Sequence, residues 1–205
     1  MNQANQEAVN SWNRYWSQVA WIGWPANYYR KQFLSKPMSR MIEKYFPPSG
    51  IFLEAGCGSA TDTFFYKKKS RRFIGMDISD EALRMASRQK NIDEVRIGDI
   101  CNMPFPSAHF DGIWNLGVME HFNPPAMKSA FAEMNRTLKP GAHLILLWPS
   151  VWNLVNLFFW WLFPKMPSLL HSRQQGEAFL RENNFQACEA VTTIMGDIIL
   201  VGRKI

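Results

Sequence analysis

Ile51-Phe52-Leu53-Glu54-Ala55-Gly56-Cys57-Gly58-Ser59-Ala60-Thr61 is the stretch on which the fold turns. Its first three residues form a short apolar run, the pattern of a buried strand, and the run stops at an acid followed by two glycines one residue apart. Glycine there lets the backbone turn tightly and approach a ligand, because no Cβ stands in the way. A helix starting near Thr61 would aim its free N–H groups and the positive end of its dipole at that ligand. Outward from this stretch, Arg72-Phe73-Ile74-Gly75-Met76 ends in Asp77, twenty-one residues after Gly56. A nucleoside-binding α/β sheet presents an acid to ribose hydroxyls at that spacing. A third strand-like run, Val95-Arg96-Ile97-Gly98, ends in Asp99.

Further along, strand and helix patterns keep alternating. Phe110-Asp111-Gly112-Ile113-Trp114-Asn115 reads as a strand, and Ala126, Met127, Ala130, Phe131, Met134 and Leu138 follow at helical spacing. Lys139-Pro140-Gly141 reads as the turn into His143–Trp148, another strand. The alternation predicts a parallel sheet covered on both faces. Glu177, Phe179, Leu180 and Phe185 read as a last helix. Ala187–Ile194 and Asp197–Val201 then read as a hairpin closed at Met195-Gly196-Asp197.

Five landmarks in order carry a resemblance. They are Glu54-Ala-Gly-Cys-Gly58, Gly75-Met-Asp77-Ile-Ser79, Gly98-Asp99-Ile100, Phe110 to His121, and Leu138-Lys-Pro-Gly141. Over roughly residues 50 to 149 the chain resembles the class I S-adenosylmethionine-dependent methyltransferases, and within them the type-11 group acting on small molecules and lipids. The resemblance implies a three-layer Rossmann-like fold with a mostly parallel seven-stranded sheet, a C-terminal antiparallel hairpin and an N-terminal helical cap. It implies S-adenosyl-L-methionine as cofactor. Gly56, Cys57 and Gly58 would admit its amino-acid part, and Glu54 would hold its ammonium directly or through water. Asp77 would bind the ribose hydroxyls, Ile78 would lie on the adenine, and Asp99 would accept from the adenine amino group with Ile100 alongside. Asn115 and Leu116 would pass close to the methyl-bearing part. The family often has a third glycine where this chain has Ala60, so the turn is expected to differ locally.

His121 is the candidate general base, because its pKa lies near neutrality and the loop after the fourth strand faces the site. Glu120 is its neighbour and the second candidate. No metal site is expected, since Cys57, Cys101 and Cys188 show neither paired nor ligand spacing. The rival readings fare worse. A nicotinamide fingerprint needs a small residue where Thr61 stands. Asn123-Pro124-Pro125-Ala126 comes too late and lacks the aromatic of an adenine-methylating motif. No Cys follows a Pro, as cytosine C5 chemistry would require.

Composition bounds the rest. The 205 residues, 47% hydrophobic and 20% charged, are those of one globular domain rather than a disordered chain. A net charge of +6 suits simple solubility, an anionic membrane surface or an acidic substrate, and nucleic acid has no support beyond it. The N-terminus lacks a basic region before an apolar core, so no signal peptide is indicated and a cytoplasmic location is expected. The expected division is a helical cap over 1–48 and a methyltransferase domain over 49–205 with an apolar insertion at 151–170.

In the cap, Val9, Trp12, Trp16 and Val19 form one helical stripe, and Met38, Met41, Ile42 and Tyr45 form a second, closed by Pro47-Pro48. Two readings stay open for this arm: core packing, or a lid over cofactor and acceptor that touches a bilayer. Lys67 to Arg72 reads as a solvated helix end. Residues 151–163 are almost wholly apolar but only thirteen long, whereas a bilayer span needs about 20. They read as a buried helix, or as a wall for a greasy acceptor or a peripheral membrane contact. The expected partner is a small, apolar or lipid-like acceptor. The alternative is a non-catalytic cofactor-binding or interaction module on the same fold.

Overall fold

A computed structural model of the chain describes residues 6–17, 30–66, 70–148 and 172–205. Helix α1 occupies 6–17, and a π-helical turn, Arg30–Ser35, leads into α2, Lys36–Tyr45. Pro37 sits in the first turn of α2, where a missing N–H is tolerated because that N–H would have no intrahelical partner. The sheet strands are β1 (Ser49–Ala55), β2 (Ser70–Asp77), β3 (Glu94–Ile97), β4 (Phe110–Asn115), β5 (Leu138–Trp148), β6 (Phe185–Thr192) and β7 (Ile198–Lys204). Helices α3 (Asp80–Ala86), α4 (Pro124–Thr137) and α5 (Arg173–Glu182) complete the described elements, with short 3-10 turns at Thr61–Phe65 and Met119–His121.

The seven strands lie in the order β3-β2-β1-β4-β5-β7-β6. Strands β1 to β5 pair in parallel, and β7 pairs antiparallel to both β5 and β6. From β1 the chain winds outward to β2 and β3, then returns to lay β4 on the other side of β1. That reversal opens a crevice at the carboxyl ends of β1 and β4, where open α/β sheets bind ligands.

Alternation along the strands divides the core between the two faces. On one side Phe52, Phe73, Trp114, Ile145 and Ile199 meet Met38, Ile42 and Phe46 from α2. On the other, Leu53, Ile74, Ile113, Leu144 and Leu146 meet Met127, Phe131 and Met134 from α4. The close approach of α2 depends on Gly112, where an added Cβ would stand 2.6 Å from the Phe46 ring. Overpacking of a buried site costs about 1–3 kcal/mol. Gly112→Ala is therefore expected to lower the denaturation midpoint, as chemical unfolding would show; an unchanged midpoint would mean α2 packs elsewhere.

The structure corrects several local expectations. The glycine turn is followed by the single 3-10 turn Thr61–Phe65 rather than a long helix. Asp62 in that turn is buried and accepts from the Ser35 hydroxyl at 2.6 Å, which ties it to the arm instead of to a helical ladder. A turn this short brings little of the helix dipole expected to face the ligand. Arg71 and Arg72 lie in β2, and Arg71 is buried, donating to Glu43 and to the backbone carbonyls of Pro47 and Phe46. Lys67–Lys69, from the same basic run, are outside the described residues. Lys139-Pro140-Gly141 falls inside β5 as an irregularity: Phe110 pairs with Leu138, yet Gly112 pairs with His143. Leu138 starts β5 rather than ending α4, and Phe185 starts β6 rather than ending α5, where Asn184 has already turned to φ 62°. Val19 and residues 151–170 also lie outside the described residues. No helix among the described residues is long and apolar enough to cross a membrane.

Candidate active site

At the carboxyl edge of the sheet the loop after β1 is clipped to the end of β2. The N–H groups of Gly56 and Cys57 both donate to the Met76 carbonyl, at 2.8 and 2.9 Å. Gly58 donates its N–H to Asp77 Oδ2 at 2.8 Å, and Ser79 donates its own to Asp77 Oδ1 at 2.9 Å. Each carboxylate oxygen is thus oriented by a backbone N–H group. Gly58 has φ +52°, a region open to glycine without penalty. Ala60 takes φ 50° as well, the conformation a glycine would adopt freely; for a non-glycine residue this costs roughly 1–2 kcal/mol.

Beyond β3, Asp99 accepts the Cys101 N–H at 2.8 Å, which turns the loop back toward the crevice. Burial, with the Asp99 charge adding to it, pushes the Cys101 thiol up to about 11, so this sulfur is a protonated wall atom at neutral pH. Leu116, Gly117 and Val118 follow β4 and pass opposite the glycine loop, where a Cβ on Gly56 would meet Val118 at 2.5 Å. The turn Met119–His121 then delivers His121, and the Asn123 side chain caps α4 by accepting from Ala126 N–H.

These elements enclose a cavity of about 470 Å³. Gly56, Gly58, Asp77, Ile78, Asp99, Ile100, Leu116 and His121 all line it, so eight of the sequence-expected positions share one wall. Glu54, Cys57, Asn115 and Glu120 do not. Glu54 is buried, 1% exposed, as the penultimate residue of β1. Cys57 points inward against Leu83 and Ala86. The Asn115 amide donates to the Ala55 carbonyl at 2.5 Å and braces β1 from beneath. Glu120 sits with its carboxylate near Gly117. Asp77 and Asp99 therefore share the crevice, and Glu54 is buried outside its lining.

Sequence reading did not assign Met76, Gly98, Gly117, Val118, Phe122 or Ser129 to the wall; the first four lie within the sequence landmarks, and Phe122 and Ser129 are brought there by the chain after the Met119–His121 turn. The remaining side of the cavity is α1. Ala8, Trp12 and Trp16 recur every four residues and present one face to it. The Trp16 indole packs against Gly58, where an added Cβ would stand 2.4 Å from Cζ2. The Trp12 ring meets the His121 imidazole edge-on at 5.1 Å. Burial holds the His121 pKa below its usual value, so the imidazole is neutral and able to accept a proton at pH 7. Gly58→Ala should displace Trp16 and strain the loop, weakening ligand binding at this cavity about tenfold. Titration of the variant with S-adenosylmethionine would check this, and wild-type affinity would show that the loop and α1 yield freely. Among the described residues no cluster of His, Cys, Asp and Glu could hold a metal ion.

A parallel sheet whose strand order reverses over a glycine loop and a ribose-spaced acid defines a nucleoside-binding α/β protein of the Rossmann-like class. The family model described as a methyltransferase domain matches residues 53–146. That match takes in just under half of the chain, and over it the chain is similar to S-adenosylmethionine-dependent methyltransferases. A probable S-adenosylmethionine-dependent methyltransferase of Mycolicibacterium smegmatis is 30% identical over 99 residues, covering 48% of this chain and 37% of that protein. The demethylmenaquinone methyltransferase of Symbiobacterium thermophilum is 27% identical over 116 residues, covering 52% and 45%. The chain thus spans less than half the length of either relative. In fold it is similar to an S-adenosylmethionine-dependent methyltransferase of Aquifex aeolicus, with a TM-score of 0.72, 14% identity, and coverage of 93% of this chain and 98% of that one.

Proposed function

We propose that this protein transfers a methyl group from S-adenosylmethionine to a small, apolar, lipid-like acceptor. One observation carries the reading: Asp77 stands on the cavity wall, at ribose spacing from the glycine loop, with both oxygens oriented by backbone N–H groups. The surrounding residues fit the rest of an adenosyl ligand. Gly56 and Gly58 would take its amino-acid part against bare backbone, Ile78 and Ile100 would flank the adenine, and Asp99 would accept from the adenine amino group. Leu116 would lie beside the reacting end. Glu54, Cys57 and Asn115 would support this shelf from behind.

Bound there, S-adenosylmethionine supplies a methyl group already activated on a sulfonium. The protein's share is then to orient the acceptor and keep water out, which can remove much of a barrier by positioning alone. Helix α1 would form the cap, with Trp12 and Trp16 closing the cavity, while α2 belongs to the core of the sheet. His121, neutral and half-buried, would take the proton of an acceptor O–H, N–H or S–H. Glu120, with its carboxylate near Gly117 and outside the cavity lining, is the weaker candidate for that role. The apolar character of the acceptor is supported by Trp12, Val118, Phe122 and Ala126 along the wall. It is also supported by a relative whose named substrate, demethylmenaquinone, is lipid-like.

Calorimetric titration with S-adenosylmethionine should show binding well below millimolar, and its absence would remove the methyltransferase reading. Transfer of labelled methyl should appear in lipid extracts; transfer only to polar metabolites would remove the apolar acceptor while leaving the donor site standing.

A further inference from the structure

The third contact of α1 is polar and reaches the donor site indirectly. Asn13 lies between Trp12 and Trp16 on α1, and its side-chain oxygen accepts the Ser79 hydroxyl proton at 2.6 Å. The Ser79 oxygen is at the same time the N-cap of α3, accepting from the Ala82 N–H at 3.2 Å. With its acceptor side used by the cap, the hydroxyl proton is directed to Asn13. Ser79 is buried, and its backbone N–H is one of the two groups that orient Asp77. The other, Gly58 N–H, belongs to the residue on which Trp16 packs. Helix α1 therefore bears on both backbone supports of one carboxylate, through Asn13 on one side and Trp16 on the other.

We propose that Asn13 is a positioning residue for the methyl donor, acting through Ser79 to hold Asp77 in the orientation that receives the ribose. The inference rests on the donor-site reading above. A cap that only covered the cavity would need apolar contact alone, which Ala8, Trp12 and Trp16 already make. The Asn13–Ser79 bond adds registration: it sets where α1 sits along the Asp77 loop, so that docking the helix and fixing the acid become one event. Without it the N–H of Ser79 still reaches Asp77, but the loop gains freedom that ligand binding must then remove.

The test is a double-mutant cycle read by calorimetric titration with S-adenosylmethionine, with melting temperature recorded for every variant. In the wild-type background Asn13→Ala should weaken donor binding about three- to tenfold, the span of one lost hydrogen bond. In an Asp77→Ala background the same substitution should change binding by less than twofold, because the group it positions is gone. Asn13→Ala binding like wild type would overturn the proposal. An equal loss in both backgrounds would also overturn it, since Asn13 would then stabilise α1 without acting through Asp77. Failure of the wild-type protein to bind the donor is a separate result, and it would fall on the donor-site reading.

Discussion

Asp77→Ala should lower affinity for S-adenosylmethionine about thirty- to a hundredfold while leaving the fold intact. The carboxylate is positioned by Gly58 and Ser79 at 2.8 and 2.9 Å and would receive the ribose hydroxyls. Hydrogen bonds to a charged acceptor contribute about 1.5–3 kcal/mol each, and losing the pair exceeds what water entering the gap would restore. Folding should change only modestly: the Gly58 N–H left behind lines a cavity that water can enter, while the buried Ser79 N–H loses an acceptor. Far-ultraviolet circular dichroism and melting would verify the fold, and titration would read the affinity. Wild-type affinity in this variant would place the ribose elsewhere and undo the assignment of the crevice.

His121→Ala should reduce turnover roughly a hundredfold or more, within the usual range for removing a general base, and leave donor affinity near wild type. Its pH dependence gives a sharper signature. Burial depresses the imidazole pKa, so the base is in its working form at neutrality and is lost only as pH falls through a value below the ordinary 6.5. The turnover profile of the wild-type protein should therefore be flat near pH 7 and fall on the acid side. The acid limb should disappear in the variant. The same depression acts on stability. Between the two pKa values the unfolded chain binds the proton more readily, so the contribution present at neutral pH is lost as pH falls. A variant that keeps full turnover, or keeps the acid limb, would show that His121 only packs against Trp12.

Much of this molecule is legible in one dimension because short-range patterns report it. The parallel strands β1, β2, β4 and β5 are buried on both faces, and such strands appear in sequence as apolar runs ending at glycines and acids. Asp77 and Asp99 are legible for the same reason. Asp77 closes β2 and Asp99 follows the end of β3 by two residues, and in a parallel sheet these strand ends point to one edge, so spacing along the chain becomes proximity in space. Where the reading failed, a tertiary contact outweighed a local preference. The helix expected from Thr61 is cut to one turn where Asp62 turns to Ser35, twenty-seven residues earlier. Arg71 looked like solvent charge until three partners from the end of α2 and the turn after it enclosed it.

By itself, then, the amino-acid sequence determined the order of strands and helices, the glycine turn, and which acids stand at the sheet's carboxyl edge. Local periodicity and backbone permissiveness decide those features within a few residues. Only the tertiary structure decided that α1 and α2 part company, one over the cavity and one in the core. It alone left Glu54 buried off the cavity lining, and it alone brought Asn13 to Ser79 across 66 positions of chain. Side chains of equal hydrophobicity give the same helical stripe whether they face a sheet or a ligand cavity. What tells the two apart is the surface they dock on, and that surface does not exist until the sheet has formed.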